Sequence, residues 1–198
     1  DYSDLFFESI DECQANCNQL NCQDGFVEIN GLCFSEIDIS IIQKMPTSSN
    51  YAVCKFEKSG FVHFIQVGRR TRIICNINNS KLSQGLHGMH VHNYGDLTEG
   101  CKSTCNHYNP TGCQHGGRIG CNRHRGDLGN VKVTKNGTCK DDFFADVNVW
   151  EIIGRALILH EDEDDLGLLD TTLSKTTGSA GRRIDCGVIG ICKNPLKE

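Results

Sequence analysis

From Tyr51 onward the chain is a succession of short runs in which apolar side chains recur at every second position, punctuated by Gly, Asn, Asp and Ser. The runs at 51–56, 61–67, 72–77, 86–93, 129–134, 143–149, 155–160 and 184–192 are rich in β-branched and aromatic residues and have the length of strands. No long helical period separates them. The pattern predicts an all-β fold of eight antiparallel strands, a sandwich or barrel closed on its own edges. Two long stretches, roughly 94–128 and 161–183, carry no such run. Loops of that length in a compact fold are functional or tied down.

Residues 1–48 follow a different pattern. Phe6, Ile10, Cys13 and Cys17 recur at helical spacing, and Ser9 with Glu12 three positions on forms a capping-box signature for one helix. Cys22 and Cys33 follow in a looser stretch, and residues 46–50 read as a linker. So short a segment has too little core to stand alone, so it is expected to be a disulfide-stapled extension, residues 1–48, on a main domain at 51–198.

Composition narrows the class. With 38% hydrophobic and 23% charged residues the chain is globular. A net charge of −5 without a basic stripe argues against nucleic acid as a partner. No apolar run reaches the ~18–20 residues of a membrane span. Thirteen cysteines, too many for a reducing compartment, predict a secreted, disulfide-framed protein with at least one thiol left over. The chain opens at Asp1 without Met, which fits a processed or trimmed secretory product and equally a start point chosen in cloning. The sequons at Asn78 and Asn136 point the same way as candidate glycosylation sites.

The chemistry gathers in the histidines. His90 and His92 lie two apart in an alternating strand and so face the same way. His107, His115, His124 and Asp127 follow in one Gly-rich loop, and His160 closes a later strand. Imidazole suits copper and zinc, and three imidazoles with one carboxylate suit a closed tetrahedral zinc. Cys113 and Cys121 flank His115 and are expected to pair as a brace, with extra soft metal ligation as the alternative.

The runs Gly85–His92, His107-Tyr-Asn-Pro110, His115-Gly-Gly117, Arg123–Val131, Asp164-Asp-Leu-Gly167 and Gly181–Gly190 resemble the copper/zinc superoxide dismutase family over residues 51–192, in their intervals as well as their motifs. The resemblance implies a Greek-key barrel with copper held by His90, His92, His107 and His160, and zinc by His107, His115, His124 and Asp127. It implies that His107 bridges the metals and takes up a proton when copper is reduced, as superoxide is converted to oxygen and hydrogen peroxide. Asp164 would bond His90 and His115, Arg183 would attract the anionic substrate, and His87 would be structural. Cys101 and Cys186 would form the family's intrasubunit disulfide, and Cys54 would be the leftover thiol. The family homodimer would pack Tyr94, Gly95, Ile153, Gly154, Val188 and Ile191.

The second loop departs from the family. Leu168-Leu-Asp-Thr-Thr-Leu-Ser-Lys175 stands where active members carry Gly-Gly and Glu-Glu…Lys, so a reduced rate is expected. His92–Thr98, Arg123–Val131 and Val149–Arg155 look closer to the middle domain of copper chaperones for superoxide dismutase, although no Met-x-Cys-x-x-Cys run occurs in these residues. Secreted dismutase-like plasma proteins of bivalve haemolymph (the cavortin type) share the cysteine-rich look. They make a non-catalytic metal carrier the alternative to an extracellular enzyme. Arg125-Gly-Asp127 spells an adhesion tripeptide, but a ligand role would turn Asp127 inward.

Overall fold

The computed structural model describes residues 26–29, 32–35 and 50–197. The helix expected over Phe6–Cys17 and residues 46–49 of the expected linker lie outside them. Where a loose stretch is expected, Phe26–Ile29 (β1) and Leu32–Ser35 (β2) pair antiparallel, with Phe26 opposite Ser35. Asn30-Gly31, the strongest two-residue hairpin signal, stands between them in the sequence.

Eight strands build the main body: Tyr51–Lys55 (β3), Gly60–Val67 (β4), Arg70–Asn78 (β5), Gly85–His92 (β6), Asp127–Val133 (β8), Thr138–Ala145 (β9), Ala156–His160 (β10) and Arg183–Ile191 (β11). A short strand, Thr98–Cys101 (β7), lies in the first long loop. The eight are hydrogen-bonded in the order β8-β6-β10-β11-β3-β4-β5-β9, all antiparallel. The terminal strands of that order are joined by the turn at 134–138, where Thr134 N–H donates to Thr138 O at 2.8 Å, so the barrel is nearly closed. β6 pairs with β8 and β10 instead of β5, a Greek-key crossing.

Alternation makes the core. On β5, Thr71, Ile73, Cys75 and Ile77 point inward while Asn76 and Asn78 face water. Phe56, Val62, Phe64, Met89, Val91, Leu128, Leu157, Leu159 and Ile189 complete the interior. One expected strand is displaced: the run at 143–149 is β9 ending at Ala145, followed by a helical turn, Val149–Ile152 (α1). The Glu151 carboxylate accepts the Asn148 N–H at 2.9 Å, so an Asn with Glu three positions on starts a helix there and overrides the apolar alternation of Val147 and Val149. A second helix, Thr172–Thr177 (α2), forms inside the second long loop, capped by the Thr171 hydroxyl and closed by Gly178 at φ 66°.

The cysteines depart from the expected framework. Cys101 and Cys186 are bonded, with Cα atoms 5.7 Å apart, and Cys113 and Cys121 are each in a disulfide. Yet Cys54, Cys75, Cys105, Cys139 and Cys192 are free thiols, four more than the single leftover Cys54. Cys54, Cys75 and Cys139 sit at inward positions of strands and serve as small apolar core residues.

Candidate metal centre

Strand register assembles the site. On β6, His90 stands opposite Ile158 of β10 on one side and Asp127 of β8 on the other, and His92 pairs with Ala156. His107 bridges to His92 across the first loop, and His160 ends β10 opposite Arg183 of β11. His90, His92, His107, His115, His124, His160 and Asp127 are all buried. His90, His92, His107 and His160 each bring a donor atom to within 4.8 Å of the others.

The rings of His90, His92 and His160 each have one nitrogen committed and one left over. His90 Nε2 donates to Asp164 Oδ2 at 2.8 Å, and His115 Nε2 to Asp164 Oδ1 at 2.7 Å. His92 Nδ1 donates to Cys105 O at 2.7 Å, and His160 Nδ1 to Gly181 O at 3.3 Å. The opposite atoms, His90 Nδ1, His92 Nε2 and His160 Nε2, are buried without hydrogen bonds, and His115 Nδ1 has only the Asp127 carboxylate beside it. Unpaired buried acceptors are costly unless a cation takes them, and fixing one nitrogen to aim the other is how metal-binding imidazoles are held.

The second group is tighter. Asp127 Oδ1 lies 2.9 Å from His107 Nδ1, 3.0 Å from His115 Nδ1 and 3.3 Å from His124 Nδ1. Those spacings approach the ~3.3 Å edge of a tetrahedron with bonds of ~2.0–2.1 Å. A grouping by donor proximity alone places His90 with His107, His115 and Asp127. The contact distances favour His124 as the fourth member, since His124 Nδ1 is also 3.4 Å from His107 Nδ1. The donor sets therefore fit two metal ions sharing His107.

Electrostatics agree. Burial, and then the neighbouring rings, drive the His107 pKa down to about 3, and burial likewise depresses His92 and His160, whose rings also feel Arg183. Burial opposes the charged form of His115, but Asp127 and Asp164 outweigh it and push its pKa up to about 9. Burial works against Asp127 as well, yet hydrogen bonds from His107, His115 and His124 hold it well below the usual carboxylate range.

Arg183 donates to Cys101 O at 2.5 Å, Thr104 Oγ1 at 3.1 Å and Cys105 O at 2.6 Å. His87 lies between the carbonyls of His160 and Ser83, 3.0 Å from each, outside the donor groups. Arg125 is bonded to the buried Glu151 at 2.8 Å and Asp127 is buried, so the Arg-Gly-Asp tripeptide is not displayed. Of the five consecutive acidic residues Glu161–Asp165, Glu161 pairs with Arg182, Asp164 is buried in the site and Asp165 accepts from Ser174. Asn78 and Asn136 are both exposed.

Three contributors escape sequence reasoning. Cys105, at φ 65°, aims one carbonyl at both His92 and Arg183. Lys175 O accepts the His115 N–H at 2.8 Å, tying the second loop over the site. Arg123 is buried behind Asp127. An arginine beside a histidine carries no mark of which way it faces, and the Cys105 and Lys175 contacts use only the backbone.

A nearly closed antiparallel barrel carrying a buried polyhistidine centre defines a metal-binding β-barrel protein. The family model for copper/zinc superoxide dismutase matches residues 58–189, and the chain belongs to that family. It is 45% identical over 144 residues to the human copper chaperone for superoxide dismutase, a match covering 69% of this chain and 51% of that protein. It is 44% identical over 149 residues to the Cu-Zn superoxide dismutase of Paramecium bursaria Chlorella virus 1, covering 73% and 79%. The crystal structure of the clock protein EA4 superposes with a TM-score of 0.68 at 39% identity, over 74% of this chain and 98% of that one. The chain thus spans about half the length of the chaperone relatives (51%).

Proposed function

We propose that this chain is an extracellular superoxide dismutase binding copper at His90, His92, His107 and His160, and zinc at His107, His115, His124 and Asp127. The observation that carries the reading is the convergence of buried, unpartnered imidazole nitrogens beside an anchored arginine. When bound, copper would supply one-electron exchange with superoxide and zinc a fixed charge at the shared ring. The chain's own part is to orient and to attract. Asp164 fixes His90 and His115 through their Nε2 atoms, and Cys105 O fixes His92. Arg183, held by loop carbonyls, presents a positive charge near His92 and His160 that draws an anion inward.

The second loop supports a rate below the family's. Arg182 is paired with Glu161 at 2.5 Å, which offsets its charge, while Lys175 keeps its charge but has its ammonium held to Gly167 O at 2.7 Å and so is drawn back onto the loop. Leu168, 79% exposed, and Leu169 and Leu173 occupy the surface instead. The same observation favours the second reading, a non-catalytic metal-binding carrier, and the chaperone relatives make copper transfer one form of it. Elemental analysis with a superoxide assay on wild type and His160→Ala separates them. Two metals per chain with turnover abolished in the variant supports the enzyme; bound copper without turnover in wild type means carrier.

A homodimer is part of the proposal. Tyr94, Val188 and Ile191 are exposed apolar side chains, and Gly95 packs so tightly on Gly154 that a Cβ there would lie 2.1 Å from its carbonyl oxygen. A two-fold contact buries that patch. Sedimentation of wild type and Ile191→Glu tests it, a monomeric wild type excluding it. Residues 1–48 as a separate stapled extension, and glycans on Asn78 and Asn136, belong to the same secreted reading. Mass measurement of native protein before and after reduction and deglycosylation checks both.

A further inference from the structure

The geometry points to Arg123 as a positioning residue that pre-forms the zinc side of the centre before metal arrives, an inference that rests on the metal-binding reading above. Arg123 is 2% exposed and among the largest fully buried side chains of the fold. Its Nε donates to Gly117 O at 2.6 Å and its Nη1 to Asp146 O at 2.8 Å. Its Nη2 donates to Arg125 O at 3.1 Å and to Asp127 O. Every one of these acceptors is a backbone carbonyl.

The acceptors are spread in a telling way. Gly117 follows His115 by two residues, Arg125 and Asp127 flank His124 on its far side, and Asp146 belongs to the connection after β9. One planar group therefore ties the His115 limb of the loop to the His124–Asp127 limb, and both to the barrel. The limbs meet closely: a Cβ on Gly116 would stand 3.0 Å from Arg123 Cβ.

Among the described residues this segment has no apolar interior of its own. Between Cys113 and Leu128 the buried side chains are His115, Arg123, His124 and Asp127, and none is apolar. The loop has a guanidinium where a domain has a hydrophobic core. A fork of donors in fixed geometry can serve several carbonyls at once, and a lysine ammonium on a flexible stem cannot reproduce it. Burying a cation is expensive, and multiple hydrogen bonds beside a buried carboxylate are what make it tolerable.

The test uses the full chain with Arg123→Lys, which keeps charge and loses the fork, and Arg123→Gln, which loses both. Co²⁺ serves as the probe, because its absorption reports tetrahedral coordination, alongside hydrogen exchange on metal-free protein. In Arg123→Lys, Co²⁺ affinity falls about 10–100-fold, the usual effect of removing a group that orients metal ligands. Amides of 115–127 lose protection in the metal-free variant while β3–β6 keep theirs, and Cu²⁺ uptake at the four-histidine group is retained. Arg123→Gln shows the same pattern more strongly; should it fail to fold, Arg123→Lys decides. Unchanged Co²⁺ affinity with intact loop protection overturns the inference, as does equal loss of protection across the barrel. A wild type that takes up no metal defeats the metal-binding reading instead, and the exchange data still decide whether Arg123 orders the loop.

Discussion

Gly178 stands directly against Asp164: a Cβ at position 178 would lie 1.9 Å from Asp164 Oδ1. The same atom would lie 2.3 Å from His115 Nε2, pressed against the bond between them from one side. Gly178 also closes α2 at φ 66°, so its missing side chain serves helix and site together. Gly178→Ala should destabilise the protein by about 2–3 kcal/mol, combining left-handed strain with the clash. Metal affinity should fall with it. Denaturant midpoints and a Co²⁺ titration check this, and wild-type values for both would contradict it.

Asp164→Asn should leave the barrel folded and weaken metal binding about 10–100-fold, since the side chain holds one ring of each donor group. Elemental analysis after dialysis against a mild chelator reads the loss. The expected loss covers both metals. Depletion of one alone would show that the other ring is held by something else.

The metal-free protein should be most stable near neutral pH. Burial holds His107 at about 3, against 6.5 in an unfolded chain, and depresses His92 and His160 similarly. The unfolded chain therefore binds more protons in acid. That contribution is complete above ~6.5 and is lost as pH falls toward the folded values. His115 behaves oppositely: with its pKa raised to about 9, its contribution is complete below ~6.5 and is lost as pH rises through 9. Melting temperatures of the metal-free protein between pH 4 and 10 should fall on both sides of neutrality.

Thiol labelling of the native protein should modify Cys105 first. It is the exposed free cysteine among the described residues, and Cys54, Cys75 and Cys139 are buried. Burial also pushes the thiols of Cys54 and Cys139 up to about 12 and about 11, which leaves little thiolate. Peptide mapping after brief alkylation checks the order, and early labelling of Cys54 would contradict it.

Superoxide turnover should fall short of the ~10⁸–10⁹ M⁻¹s⁻¹ diffusional range and depend weakly on salt. Arg183→Met should lower kcat/KM by a further ~10-fold or more, because it removes the charge anchored at Cys101 O and Cys105 O. A steep ionic-strength dependence surviving in Arg183→Met would place steering elsewhere.

The barrel was legible because strand alternation repeats the same physical demand at every turn; Ile73, Cys75 and Ile77 announce an inward face without context. The candidate donors stand out in the sequence because imidazole and carboxylate are few and chemically particular, and the fold brings them together. What stayed hidden depends on contacts between distant segments. Asn148 and Glu151 start a helix inside an apolar run, Gly178 leaves room for Asp164 from fourteen residues away, and Arg123 finds carbonyls on several separate segments. The oxidation state of the cysteines was the weakest inference from sequence, since a thiol on an inward strand position and one destined for a disulfide look alike.

The barrel's strand order begins with β8 and ends with β9, neighbours in sequence joined by the turn at 134–138. Both raw edges of the sheet therefore meet at one seam, with that turn as a short clasp at one end and Arg118 and Arg123 bridging it further along. A protease cut inside that clasp would free two edges at once, each a template for pairing with another chain. A chain rejoined elsewhere and opened there would tend to polymerise edge to edge. The clasp thus shields both edges at the far end of β8 from Asp127, the residue through which the same strand meets the histidines.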